Sequence, residues 1–145
     1  MLKQTGAAET RPVTLEQLKG HCRVDHDDDD DQLEIYLDAA TEFVAERTGL
    51  TLAPSSWEIE RCGWWSDCLT VLLSPVRDIV ITYLDANGDS QTVDAGLYRW
   101  ENTDKGSAEV RFFSTFTSPA VLADTYNAVQ IAIEAGFDDP AATGS

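Results

Sequence analysis

At Gly49 the spacing of apolar residues changes from helical to alternating, and this one switch dictates a mixed fold with the helices first. Upstream, Leu33, Tyr36, Leu37, Ala40, Phe43 and Val44 recur at helical spacing. They predict an amphipathic helix with those six residues as its core-facing stripe. The run Asp27 to Asp31 falls at the start of that helix, where the helix dipole favours negative charge. Arg47 suits its last turn and Gly49 the position just past its end. A shorter helix precedes it. Thr14 and Gln17 have capping-box spacing, and Leu15, Leu18 and Cys22 fall on one face, weakened by Gly20. Val24 to His26 is the predicted elbow.

Downstream the period is two. Trp57 and Ile59 alternate with Glu58 and Glu60, and Leu69, Val71 and Leu73 alternate with Thr70 and Leu72 before Pro75 ends the run. Ile79, Ile81 and Tyr83 predict the next strand. The segment Asp85-Ala-Asn-Gly-Asp89 predicts a tight hairpin turn at Asn87-Gly88, returning through Gln91 to Val93. Further strands are expected over Leu97 to Trp100, Glu109 to Phe113 and Val129 to Glu134. The predicted class is α+β: two N-terminal helices packed with an antiparallel β-sheet or a small β-sandwich. Residues 1–12 are expected to be a flexible arm and 138–145 a flexible tail. Residues 13–137 then form a single domain, helical over 13–49 and mainly β over 54–137.

The charge narrows the partners. Twenty-six acids against ten bases give a net charge of −16. Such a surface repels phosphate backbones and anionic membranes, and suits a neutral or basic protein partner. The polar segment Met1 to Pro12 has no signal-peptide pattern, and the apolar run Leu69 to Leu73 is too short to span a bilayer. Three cysteines, Cys22, Cys62 and Cys68, read as reduced thiols.

No reaction is legible. Asp25, Asp27 and Asp29 stand at the first, third and fifth positions of a calcium loop, but Asp30 and Tyr36 occupy the places that need Gly and Glu. A calcium- or ligand-responsive binding module built on Asp25 to Asp31 is therefore the alternative rather than the leading reading. His21, Cys22 and His26 lie far in sequence from Cys62 and Cys68, without the close spacing of a zinc site. No nucleophile motif or phosphate-cradling glycine loop is present. No enzyme, cofactor or metal site is expected. Partner contacts are expected instead at the loop residues Trp64 and Trp65, at the hairpin tip Asn87-Gly88, and at Asp27, Asp28 and Asp29. For the two tryptophans, folding back as cover for the sheet edge is the equal alternative.

Several words of this sequence, in order, carry a family resemblance: Val13-Thr-Leu-Glu-Gln-Leu-Lys19, Arg23-Val-Asp-His-Asp-Asp-Asp-Asp30 and Ala39-Ala-Thr-Glu-Phe-Val-Ala-Glu-Arg-Thr-Gly49. They continue through Pro54-Ser-Ser-Trp57, Leu73-Ser-Pro-Val76, Ile81-Thr-Tyr-Leu-Asp-Ala-Asn-Gly-Asp89, Tyr98-Arg99 and Ala132-Ile-Glu-Ala-Gly-Phe137. Over roughly Val13 to Phe137 the chain resembles the bacteriophage head–tail connector (portal adaptor) proteins, including their relatives in gene transfer particles. The resemblance implies a structural adaptor, present in the virion and in the host cytoplasm during assembly. It implies a homo-oligomeric ring, commonly a dodecamer, between the portal protein and a neck or tail-completion protein. Packaged DNA would pass through the channel without specific binding. It also implies C-terminal helices beyond the Ala-Gly-aromatic word that contribute to portal docking; this sequence reaches Ser145 shortly after that word.

Overall fold

The structure is a computed structural model that describes residues 2–7 and 10–137. Its elements run β1 (Leu2–Gly6), α1 (Leu15–Cys22), α2 (Asp30–Thr48), β2 (Ser55–Arg61), β3 (Cys68–Val71), β4 (Val76–Leu84), β5 (Ser90–Thr92), β6 (Tyr98–Asn102), β7 (Ala108–Phe112) and β8 (Val129–Ala135). The class is α+β with the helices at the N-terminal end, and of the two expected β arrangements the sandwich is the one formed. One sheet has the order β1-β2-β8-β4-β5 and the other β3-β7-β6, with every pairing antiparallel.

The core lies between the sheets. Ile59, Ile79, Ile81, Val129, Ile131 and Ile133 of the larger sheet meet Val71, Tyr98, Ala108 and Val110 of the smaller one. Strand β8 is the seam of the larger sheet. It pairs β2 on one side and β4 on the other, and its inward residues Val129, Ile131, Ile133 and Ala135 alternate with more exposed ones. Two polar bridges tie the layers together. The buried Tyr98 hydroxyl donates to the Ile79 carbonyl at 2.9 Å, and Asn102 exchanges two hydrogen bonds with the Val76 backbone at 2.8 and 2.9 Å.

Helix α1 begins as its sequence dictates. Thr14 Oγ1 accepts from the Gln17 amide at 3.1 Å, and the Gln17 side chain accepts from the Thr14 amide at 2.9 Å, closing the capping box. It ends where Arg23 adopts φ 57°. Cys22, expected on a buried face, is exposed, because the helix stops there and the chain turns away. Residues 23–29 form a longer elbow than Val24 to His26. Asp30 and Asp31 occupy the first turn of α2, with Asp27 to Asp29 ahead of it.

Two expectations fail for tertiary reasons. The N-terminal segment expected to be flexible supplies strand β1, which pairs with β2 from Leu2↔Ile59 onward and is held by Lys3, whose Nζ lies 3.5 Å from Glu58 and 2.9 Å from Glu60. The stripe expected on α2 is rotated: Leu37 alone is buried there, while Tyr36, Ala40, Phe43 and Val44 are exposed. The tail expected at 138–145 lies outside the described residues.

Candidate assembly surfaces

Trp64 and Trp65 sit between β2 and β3 and turn inward rather than out. Trp64 meets Tyr83, Phe112 and Phe116 edge-on at centroid distances of 5.3, 5.7 and 5.2 Å, and its Nε1 donates to the Pro119 carbonyl at 2.9 Å. Trp65 lies 4.6 Å from the Phe112 ring, donates to the Val110 carbonyl at 3.3 Å, and carries the Arg61 guanidinium over its face. Both rings are partly buried against the core. Their expected place as projecting contact residues gives way to the alternative, a cover over the open end of the sandwich. Phe112 and Phe116, stacked at 4.0 Å, complete that cover.

Asn87 and Gly88 do project. Asp85 builds the turn: its Oδ1 accepts from the Asn87 and Asp89 amides at 2.9 and 3.0 Å, and its Oδ2 accepts from Gln91 at 3.1 Å. These donors hold the Asp85 carboxyl below the usual carboxylate range, the Asp89 amide first among them. Gly88 has φ 86°, the left-handed geometry that makes glycine the natural occupant. The result is a short, pinned, exposed tip.

Two members of the aspartate run, Asp27 and Asp30, meet at the Lys19 ammonium. Lys19 of α1 reaches across the elbow to Asp27 at 2.6 Å and Asp30 at 2.8 Å. Its hydrogen bond to Asp27 raises the Lys19 pKa and lowers that of Asp27. Asp28 points to solvent, 94% exposed, and Asp29 caps α2 without a side-chain hydrogen bond. Among the described residues no group of three or more His, Cys, Asp or Glu side chains is placed to hold a metal ion. The elbow thus works as a hinge brace between two helices: one lysine bonded to two carboxylates.

The surfaces that sequence reasoning missed are on α2. Its outward face carries Ile35, Tyr36 and Phe43, which are 61, 59 and 63% exposed, with the small Ala39 and Ala40 between the rings. Arg47 lies 6.0 Å over the Phe43 ring. Helical spacing places Tyr36 and Phe43 on the core-facing stripe; the structure turns both outward. The other side of α2 faces the larger sheet across a groove of about 670 Å³. Leu72, 74% exposed, forms part of its wall.

Residues 12–89 match the family described as phage gp6-like head-tail connector protein. The chain belongs to this head-tail connector family. The matched span runs from the approach to α1 through both helices, β2, β3 and β4 to the Asn87-Gly88 tip, so the α2 face, the hairpin tip and most of the groove's lining lie within it, while Gln4, Thr10 and Arg11 of the groove precede it. The connector is a structural component of a phage or phage-like particle, at the junction of head and tail.

Three solved structures contain chains of similar fold. A chain in the virion of a native gene transfer agent particle shares 24% identity at a TM-score of 0.72, covering 94% of the connector and 72% of that chain. One in the neck of an empty gene transfer agent particle, computed with C6 symmetry, shares 24% at 0.71, covering 94 and 71%. One in the neck of the native particle, computed with C12 symmetry, shares 23% at 0.64, covering 94 and 70%. At these identities the likeness is one of fold. No curated protein gives a significant match.

Proposed function

We propose that the connector is a portal adaptor: copies assemble side by side into a ring, a dodecamer, that docks beneath the portal protein and presents its far side to a neck or tail-completion protein. The observation that carries this reading, beyond family membership, is the uncovered apolar face of α2. Ile35, Tyr36 and Phe43 lie in water in the isolated chain, and a stripe of large apolar side chains on a regular helix is the usual mark of a protein–protein contact. A ring needs two different patches on each copy, one for each neighbour. The α2 face supplies one such patch, and the pinned Asn87-Gly88 tip is a candidate for contact with the portal or the neck.

The net charge of −16 suits this place. Acidic walls around a channel repel the DNA phosphates, so the duplex slides past without adhering. The connector works by shape and contact rather than by catalysis. It belongs to the virion, and to the host cytoplasm while particles are assembled.

Electron microscopy of this chain mixed with portal rings from the same genome tests the proposal. The expected result is an added ring of density with the portal's symmetry, lost when Tyr36→Ser and Phe43→Ser are combined in a chain that still folds by circular dichroism. Bare portals in the presence of folded parent chain contradict it.

A further inference from the structure

The groove beside α2 has one apolar wall and one acidic lip. Ala45, Leu52, Trp57 and Leu72 contribute the apolar surface. Along the lip, Glu34, Asp38, Glu42 and Glu46 stand four residues apart on α2, so their carboxylates form one row. Like charges at this spacing oppose the helix unless a cation answers them. The first two are answered. Arg11, in the segment leading to α1, lies 3.5 Å from Glu34 and 3.0 Å from Asp38. Glu42 and Glu46 line the groove with no ion pair among the described residues.

We infer that this groove is the docking site for a basic amphipathic segment of another assembly protein, its apolar side on Leu52, Trp57 and Leu72 and its arginines on Glu42 and Glu46. Arg11 shows the geometry within the chain itself: an arginine laid across the row bonds two successive acids at once. Charge decides against the other occupants. In a second copy no two arginines lie closer than twelve residues in sequence, so no segment of it offers the arginine pair that Glu42 and Glu46 would take. Residues 138–145 carry two aspartates and no base. Nucleic acid is repelled by the same row. The inference rests on the connector reading and deepens it by giving the chemistry of one partner, but its test needs no portal.

The test is fluorescence anisotropy with a labelled helical peptide of about five turns, bearing leucine along one face and arginines four residues apart beside it. A peptide of the same composition in scrambled order is the control for bulk charge. The ordered peptide is expected to bind and the scrambled one to bind at least ~10-fold more weakly, since only the former presents its apolar face with its arginines in register. Glu42→Lys with Glu46→Lys is expected to weaken the ordered peptide by about tenfold, the summed effect of two partly exposed ion pairs. Leu72→Asp, at a position too exposed to hold up the fold, should weaken it comparably. Asp67→Lys with Asp104→Lys reverses as many charges away from the groove and should change affinity by less than about twofold. Equal losses from the two charge-reversal pairs would mean attraction to net charge alone and would overturn the inference. So would binding indifferent to both groove variants. Groove variants that alter self-association in sedimentation, and not peptide affinity, would assign the site to a second copy and overturn it too. A chain that docks on portals yet ignores the peptide would refute the groove and leave the adaptor reading standing.

Discussion

Replacing Trp64 with alanine separates its two possible roles, since core cover and partner contact differ in what the isolated chain loses. A fully buried Trp→Ala change costs about 3–5 kcal/mol, ring contacts included. Trp64 is only partly buried, so about half of that, ~2 kcal/mol, applies to its packing on Tyr83, Phe112 and Phe116. Its indole N–H bond to the Pro119 carbonyl adds about 1 kcal/mol. The expected loss is ~3 kcal/mol, which at a urea slope of about 2 kcal/mol per molar lowers the unfolding midpoint by roughly 1.5 M. Trp64→Phe keeps much of the ring packing and gives up the hydrogen bond, so its midpoint should fall by only about 0.5 M. The assay is urea denaturation of the isolated chain followed by far-UV circular dichroism. A Trp64→Ala chain whose midpoint stays within about 0.3 M of the parent, but which fails to join portal rings, would refute the packing argument and return Trp64 to the contact surface.

Two further outcomes are specific to this fold. Gly136 has φ 111°, and a Cβ there would land on the Ala53 carbonyl, so Gly136→Ala should cost more than about 2 kcal/mol and lower the thermal midpoint by several degrees or more in calorimetry. Asp85 is held below its ordinary pKa, so its charge stabilises the hairpin above about pH 4 and that contribution fades as the pH falls through the folded-state value. The difference in melting temperature between the parent and Asp85→Asn should therefore be constant from pH 7 to 5 and shrink below pH 4; a difference unchanged down to pH 2 would show that the carboxylate charge contributes nothing.

What the sequence reveals here is what is decided locally. The Thr14–Gln17 capping box, the Asp85–Asp89 turn and the alternation of Val129 to Glu134 each need only neighbours within a few residues, and each forms as expected. Strand β1 does not announce itself: Leu2-Lys-Gln-Thr-Gly6 has no apolar alternation, and it becomes a strand because β2 offers an open edge and Glu58 and Glu60 face Lys3. The inward side of α2 is equally invisible. Apolar residues spread widely around that helix, and only the position of the sheet selects Leu37 and leaves Tyr36 and Phe43 outside. The groove has the same origin, since its acidic row is legible as a spacing but its apolar surface is gathered from α2, the approach to β2, β2 itself and the β3–β4 connection. Trp64 and Trp65 lie in a connection, where sequence cannot distinguish a ring that folds back from one that reaches out.

The seam position of β8 has a consequence for synthesis. Strand β8 is the last strand of the larger sheet to leave the ribosome, yet it separates β2 from β4. Until Val129 to Ala135 emerge, the nascent chain holds two ribbons, β1–β2 and β4–β5, each with an open edge and with Ile59, Ile79 and Ile81 awaiting cover. Long-range pairing of this kind is slow and leaves edges available to other chains. These open ribbons are the stage at which the nascent chain is most prone to aggregate. The arrival of one seven-residue strand closes both edges at once.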